Sequence, residues 1–173
     1  ATPEQLHEEH DFDFDGRPAG AEATATPLLV AAWRGNDAVV RRLIAAGADV
    51  ERGCIEGTPL IAAAAKNHYG CVVALIDAGA DVNLEVDNSE NGHTMKMRTL
   101  HLVLQCSSSP EIVRLLLTHG ADVDAVAREA PGEVTPLSLA WRTSHPSEIT
   151  DPDARKRYFL NKHAIAFMLL RAG

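Results

Sequence analysis

Residues 26–50 read TPLLVAAWRGNDAVVRRLIAAGADV, and residues 58–82 read TPLIAAAAKNHYGCVVALIDAGADV, which is the same pattern displaced by 32 positions. A looser third copy opens with RTLH at 98–101 and closes with HGADV at 119–123, and a fourth opens with TPL at 135–137. Recurrence at intervals of this size predicts stacked units, each of which buries its apolar face only against its neighbours.

Within one repeat, the sequence indicates where each helix begins and ends. Thr26 is a favourable N-cap, and Gly35 ends the first helix in a left-handed conformation. Asp37 is predicted to cap the second helix, and Gly47 to end it. In the second repeat Asn67 replaces Gly35, and asparagine is the next-best residue for this conformation. Each repeat therefore predicts two short helices.

The two quoted stretches resemble ankyrin repeats, whose pattern is roughly TPLHxAAxxGHxxxVxxLLxxGADVN. The resemblance implies an all-α fold, an ankyrin-repeat solenoid of stacked antiparallel helix pairs with β-hairpin fingers. Residues 1–25 are left as an acidic N-terminal leader, predicted to be partly disordered. The expected repeats span about 26–57, 58–97, 98–134 and 135–173.

Two single residues take their expected roles from the same resemblance. His101 keeps the histidine of the family pattern, which ties the turn to the helix by hydrogen bonds. For Asn83 the resemblance leaves two roles, a residue that orders the turn or an acceptor of asparaginyl hydroxylation.

Three insertions interrupt the period. Residues 84–97 alternate apolar and polar side chains around an Asn-Gly turn signal and predict an extended β-hairpin. A second turn signal, Pro-Gly, lies within 125–134. The third insertion, 143–161, lies inside the fourth repeat, where Asp151 followed by proline is a strong helix start. We expect one lengthened helix over 153–170, and the alternative is a solvated loop before a helix of normal length. Its predicted apolar face is Phe159, His163, Ala166, Phe167 and Leu170.

Charge and cysteine content limit the classes of function. The net charge is −8, of which the leader carries −6, so the basic footprint of a non-specific nucleic-acid binder is missing. The three cysteines form no CxxC pair, which favours neither a zinc knuckle nor a disulfide framework. No signal peptide or membrane span is recognised, and we expect an intracellular protein, cytoplasmic or nuclear, without a cofactor.

The leader carries one metal-binding pattern. Asp11, Asp13, Asp15 and Glu22 have the spacing of an EF-hand calcium loop. Pro18 falls where such a loop has an apolar residue, and a partner loop is missing from the sequence. A solvated acidic segment is therefore the preferred interpretation, with calcium binding as the alternative.

The resemblance also implies where a partner binds, since ankyrin partners contact the fingers and the concave face of the first helices. Tryptophan and arginine are common at interface hot spots. The alternative role for both tryptophans is to fill gaps between layers. The candidate partner-binding residues are Trp33, Arg34, Lys66, Gln105, Trp141 and Arg142.

The predicted function is a non-catalytic scaffold for protein–protein interaction. Its partner is another protein, for which an acidic or phosphorylated segment is one hypothesis; in a second hypothesis the acidic leader itself covers the candidate residues. No nucleophile elbow, P-loop or dinucleotide fingerprint is found. The alternative function is an enzyme or small-molecule binder with a pocket built by the insertions 84–97 and 143–161. The candidate groups of that pocket are His93, His145, Asp151, Asp153 and His163.

Overall fold

Short helices that follow one another in pairs make up most of the described chain. The computed structural model describes residues 10–11, 24–53, 57–87, 96–106, 109–129, 132–141 and 151–173. It divides into two units, Ala1–Asp81 and Val82–Gly173. The helices are α1 (Pro27–Trp33), α2 (Asp37–Ala45), α3 (Pro59–Ala65), α4 (Tyr69–Asp77), α5 (Thr99–Cys106), α6 (Pro110–Thr118), α7 (Pro136–Trp141) and α8 (Pro152–Ala172). The strands are β1 (His10–Asp11), β2 (Thr24–Ala25), β3 (Glu85–Asp87), β4 (Lys96–Arg98), β5 (Ala127–Glu129) and β6 (Gly132–Val134).

In the first unit, two helix pairs lie side by side. Helix α1 packs against both α2 and α3, and α2 packs against α4. Small side chains face the layer between the pairs, and residues 62–64 are three consecutive buried alanines. Alanine allows two helix backbones to approach closely, so the alanine-rich first helices fit a stack of thin layers. The predicted helix pairs of the first two repeats are confirmed.

Hydrogen bonds at the start of the first helix follow the prediction in the first two repeats. The hydroxyl of Thr26 accepts from the Leu29 amide at 3.2 Å, and that of Thr58 accepts from the Ile61 amide at 3.3 Å. Each bond satisfies one of the amides that a helix leaves without an internal partner. The threonine hydroxyl of the first repeat also donates to the carbonyl of Arg52, which ties the helix start to the following turn.

The predicted cap of the second helix is wrong by one residue. The N-cap is Asn36, whose Oδ1 accepts from the Val39 amide at 3.2 Å, and Asp37 is the first residue of α2. The Asp37 carboxylate instead accepts a hydrogen bond from the thiol of Cys71 at 2.9 Å. Asn36 thus supplies the local cap, and the Asp37 carboxylate makes a contact with the next repeat.

In the second unit, α5 packs against α6 and α7, and α8 packs against α6 and α7. Strands β3 and β4 pair antiparallel, with Val86 opposite Met97, and β5 and β6 pair with Ala127 opposite Val134. The predicted turns at 91–92 and 131 lie outside the described residues. Paired strands therefore stand at both inserted positions, while the projection of these segments as fingers stays a prediction.

The long last helix is confirmed, but its predicted inner face is wrong. Asp151 caps α8 by accepting from the Asp153 amide at 3.1 Å. Of the residues predicted to form one apolar face, only Ala166 is buried. The buried stripe is Lys162, Ile165, Ala166 and Leu169, and the remaining members of the predicted face point outward. Helices α6 and α7 pack against the buried side of α8. The helix carries apolar residues on both sides, so periodicity alone does not identify the side that faces its neighbours.

A third strand pair involves the segment assigned to the leader. Strand β1 pairs with β2, with His10 opposite Ala25. Ala25 directly precedes the opening threonine of its repeat, as Val134 precedes Thr135 in the fourth. The pair β1–β2 thus stands at the same place in the repeat as the pairs in the second unit. Of the proposed calcium ligands only Asp11 lies in the described residues, as the second residue of β1.

Candidate partner-binding site

Two of the candidate residues of the first unit are in direct contact. Trp33 is the last residue of α1, and Lys66 is the C-cap of α3. The ammonium group of Lys66 lies 4.0 Å from the centroid of the Trp33 ring, which is within the range of a cation–π interaction. This cation–π contact therefore joins the C-terminal ends of α1 and α3.

The Trp33 ring is anchored on its other side. It is half-buried and packs against the core contact between Leu29 and Ala62. Because the ring belongs partly to the layer between repeats, the gap-filling role holds for part of its surface. The ring therefore has a fixed position beneath the ammonium group of the exposed Lys66.

A histidine fixes the backbone beneath this aromatic contact. His68 is the N-cap of α4, and its Nε2 lies 3.0 Å from the Trp33 carbonyl oxygen. A carbonyl only accepts, so Nε2 of His68 carries the proton and donates it. The imidazole also covers Gly35, where an added Cβ would collide with Nδ1 of His68. Our sequence reasoning did not select His68, although the histidine after glycine in the family pattern marks this position.

Arg34 supplies the second cation. It is the C-cap of α1 and is exposed, and it follows Trp33 directly in the chain. Lys66 is also exposed. The first unit therefore presents an indole and two cationic side chains at the ends of its two first helices.

The second unit holds the remaining candidates, and they differ in exposure. Gln105 is half-buried near the end of α5. Trp141 ends α7 with 57% of its surface exposed, and its ring meets His163 edge to face at 5.9 Å between centroids. The gap-filling role is therefore wrong for Trp141. Arg142 lies outside the described residues.

Hydrogen bonds between turns hold successive repeats together in each unit. In the second unit Asn83 donates through Nδ2 to the Gly120 carbonyl at 2.8 Å and accepts through Oδ1 from the Asp122 amide at 2.9 Å. In the first unit Glu51 stands at the same repeat position and accepts from the Asp81 amide, and its Oε2 is buried with no partner among the described residues. The structure thus gives Asn83 the turn-ordering role that was one of its two expected roles.

Two buried titratable groups have structural partners. Burial, together with the hydrogen bond to Asp37, raises the pKa of the Cys71 thiol to about 12, so it stays protonated and a poor nucleophile near neutral pH. His101 is buried, and its Nε2 lies 3.1 Å from the Ala125 carbonyl, as expected for a tie between helix and turn. Burial lowers the pKa of His101 below its ordinary value.

The candidates for a pocket are only partly described, and those described do not converge. His93 and His145 lie outside the described residues. Asp151 and His163 stand 12 positions apart on α8, which places them about 18 Å apart along the helix axis. Asp151 is engaged as the N-cap, and Nδ1 of His163 lies 2.7 Å from the Phe159 carbonyl.

Three further observations concern metal binding, the leader and the membrane. Among the described residues, no group of three or more histidine, cysteine or acidic side chains is arranged to hold a metal ion. Asp13, Asp15 and Glu22 of the calcium pattern lie outside that part of the chain, as does most of the leader that the second hypothesis places over the candidate residues. In the same part of the chain, none of the helices combines the length and apolarity needed to cross a bilayer.

Comparison with known protein families agrees with this architecture. The model described as ankyrin repeats, three copies, matches residues 4–86, and the model of a single ankyrin repeat matches residues 99–128. The first match includes most of the segment that we assigned to the leader. Comparison with curated proteins finds no match. Ankyrin repeats are generally protein–protein interaction modules and typically non-catalytic. With matches over more than half of its length, the chain belongs to the ankyrin-repeat family.

Proposed function

We propose that this ankyrin-repeat protein is a non-catalytic scaffold that binds another protein through the ends of its first helices. The observation that carries the proposal is the Lys66 ammonium group lying 4.0 Å from the Trp33 ring, with exposed Arg34 beside it. Aromatic and arginine side chains dominate the energetics of protein interfaces. Because Trp33 already packs against Leu29 and Ala62, its side chain loses little conformational freedom on binding, which lowers the cost of association.

The partner segment is acidic or phosphorylated. Arg34 and Lys66 are both exposed cations, so carboxylate or phosphate groups would gain charge-assisted hydrogen bonds here. The Trp33 ring contributes an apolar surface next to these charges. In the second unit the proposed contacts are Gln105, Trp141 and Arg142. An intracellular location is part of the same proposal and rests on the cysteine usage, an odd number of widely spaced cysteines without a CxxC pair.

A selected peptide library tests the partner chemistry and the site together. Peptides are selected on immobilised wild-type protein from a bead library in which serine and phosphoserine are both encoded. The expected result is enrichment of sequences rich in Asp, Glu or phosphoserine. Enrichment of basic or purely apolar peptides would contradict the proposed chemistry.

Charge reversal then tests the residues. The double variant Arg34→Glu, Lys66→Glu is expected to lower the affinity of the selected peptides at least about tenfold, which corresponds to 1.4 kcal/mol. The matched control is Arg41→Glu, Arg42→Glu, which makes the same charge change at exposed positions of α2. Equal affinities for the two variants would place the binding site elsewhere.

A further inference from the structure

The outward side of α8 carries an apolar seam with the spacing of a helix-pairing face. Leu160, Phe167 and Leu170 are each about 60% exposed, at 61%, 61% and 60%. With exposed Lys156 and His163 they stand at intervals of 4, 3, 4 and 3 residues. This alternation keeps side chains on one side of a helix, and it is the spacing by which one helix packs along another.

The exposed tryptophan at the end of α7 widens this seam. The Trp141 ring meets the His163 ring edge to face, and His163 is in the middle of the seam. Phe159 lies on the same side of the helix with 36% of its surface exposed. Several large apolar side chains are thus exposed together in one unit, and such a patch marks an interaction surface.

The charge around the seam has one sign. After Asp153 in the first turn, α8 contains no acidic residue, whereas Lys156, Arg157 and Arg171 are exposed basic residues. The Arg171 guanidinium lies 5.8 Å from the Phe167 ring, so one cation borders the seam directly. This is a basic helix in a protein with a net charge of −8.

We propose that this seam, formed by Leu160, His163, Phe167 and Leu170 with Trp141 beside it, docks an amphipathic helix with acidic flanks from another protein. The apolar residues of the guest helix would lie along the seam, and its acidic flanks would face Lys156, Arg157 and Arg171. Helix-in-groove recognition uses anchors at this spacing. Of the residues of the seam, only Trp141 is also among the contacts proposed above. Leu160, His163, Phe167 and Leu170 are not, and the inference does not depend on that function.

Two other occupants fit the charges less well. A second copy of this chain would bring the same basic face against itself, and like charges oppose one another across an interface. A membrane with anionic lipids would attract the basic residues of α8 but repel a chain whose net charge is −8. Complementary charge therefore favours an acidic protein helix.

The test uses two designed peptides of 21 residues with leucine at the a and d positions of three heptads. One carries glutamate at e and g, and the other carries lysine there. The full chain is used with Trp33→Phe, so that Trp141 is its only tryptophan and its fluorescence reports on the seam. The acidic peptide is expected to change this fluorescence in a saturable way, with an affinity at least about tenfold higher than that of the basic peptide.

Variants of the seam complete the experiment. Leu160→Ser with Phe167→Ser is expected to lower the affinity for the acidic peptide at least about tenfold while leaving the helical circular dichroism unchanged, because both side chains are exposed. The matched control is Val39→Ser, an exposed apolar residue of α2, which should retain wild-type affinity. Equal binding of both peptides, or full affinity in the double variant, would overturn the proposal. Self-association that Leu160→Ser abolishes, or preferential binding to vesicles containing phosphatidylserine, would overturn it in favour of the corresponding occupant.

Discussion

Gly35 combines two physical demands at one backbone position. Its φ angle is +71°, a region that costs a residue with a Cβ about 1–2 kcal/mol. The imidazole of His68 also occupies the space that a side chain would take. The repeat therefore needs glycine here for its conformation and for the close approach of the next repeat.

The first prediction separates these two demands. Gly35→Ala is expected to lower the free energy of unfolding by about 2–5 kcal/mol, because a steric clash of about 1–3 kcal/mol adds to the backbone strain of about 1–2 kcal/mol. Gly47→Ala serves as the control, since φ at Gly47 is +89° and its Cβ would meet nothing within 4 Å. That variant should lose only about 1–2 kcal/mol. Urea unfolding of both variants measures the difference, and equal losses would mean that His68 yields without cost.

A second prediction concerns His101 and acid. Its Nε2 lies against the Ala125 carbonyl, and its Nδ1 is buried without a partner among the described residues. Burial lowers the folded-state pKa of His101, so below the ordinary value of about 6.5 the unfolded chain binds a proton that the folded chain does not. The free energy of unfolding should fall as the pH decreases below about 6.5, by up to about 1.4 kcal/mol per pH unit.

The measurement compares the wild type with His101→Gln in urea at pH 7.5, 6.5, 5.5 and 5.0. The variant is expected to be less stable at pH 7.5, because it changes the buried contact with Ala125. Its stability should then decline less steeply than that of the wild type as the pH is lowered. If the free energies of unfolding of the two proteins declined in parallel with pH, the pKa of His101 would be the same in the folded and unfolded chains.

At the scale of the helices and turns, most boundaries could be predicted from the chain. The threonine caps, the glycines after the helices and the start of α8 all follow from local hydrogen bonding and backbone strain. The buried side of α8 could not be predicted in the same way. This helix carries apolar residues on two sides, and periodicity identifies each stripe without saying which one meets α6 and α7.

The third prediction concerns the turn connection made by Asn83. In Asn83→Asp the Nδ2 donor to the Gly120 carbonyl becomes an oxygen, and two acceptors then face each other. The free energy of unfolding is expected to fall by about 1–3 kcal/mol. Asn36→Asp is the same chemical change at the N-cap of α2, where only Oδ1 is used and aspartate caps as well as asparagine. Unfolding of both variants checks this, and a comparable loss at Asn36 would remove the special role of Asn83.

The fourth prediction concerns Lys162, the buried lysine of α8. Lys162 donates from Nζ to the Leu104 carbonyl at 3.1 Å, and burial lowers its pKa below the ordinary value of about 10.4. The folded protein therefore releases this proton at lower pH than the unfolded chain does. The contribution of Lys162 to the free energy of unfolding therefore increases as the pH rises toward about 10.4, because the unfolded state binds more protons in this range.

Comparison with Lys162→Met isolates this contribution, because the other titrating groups are common to both proteins. Between pH 8 and pH 10.4 the stability of the wild type is expected to rise relative to that of the variant. The difference is measured by urea unfolding at four pH values in this range. A constant difference would mean that Lys162 titrates alike in the folded and unfolded chains.

At the scale of the whole chain, the repeat pattern predicted the fold but only part of the candidate site. The contact between Trp33 and Lys66 joins neighbouring places of the pattern in two successive repeats, because Lys66 is the equivalent of Arg34, which follows Trp33 in the chain. The support from His68 was missed, because reasoning from exposed positions overlooks a side chain that acts through the backbone beneath them. The strand pair β1–β2 was also missed, because the acidic composition of residues 1–25 suggested a solvated segment.

The last prediction concerns how far a local change spreads. Each unit has its own packed helices, and in repeat proteins stability is approximately a sum of local and nearest-neighbour contributions. Gly35→Ala, which strains the first repeat, is therefore expected to accelerate native-state hydrogen exchange of amides in α1 to α4 more than in α7 and α8. The reciprocal variant Lys162→Ala, which removes a buried contact between α8 and α5, should accelerate exchange mainly in α5 to α8. If either variant accelerated exchange equally in all of the described helices, the chain would unfold as one cooperative unit, and the additive description of its repeats would fail.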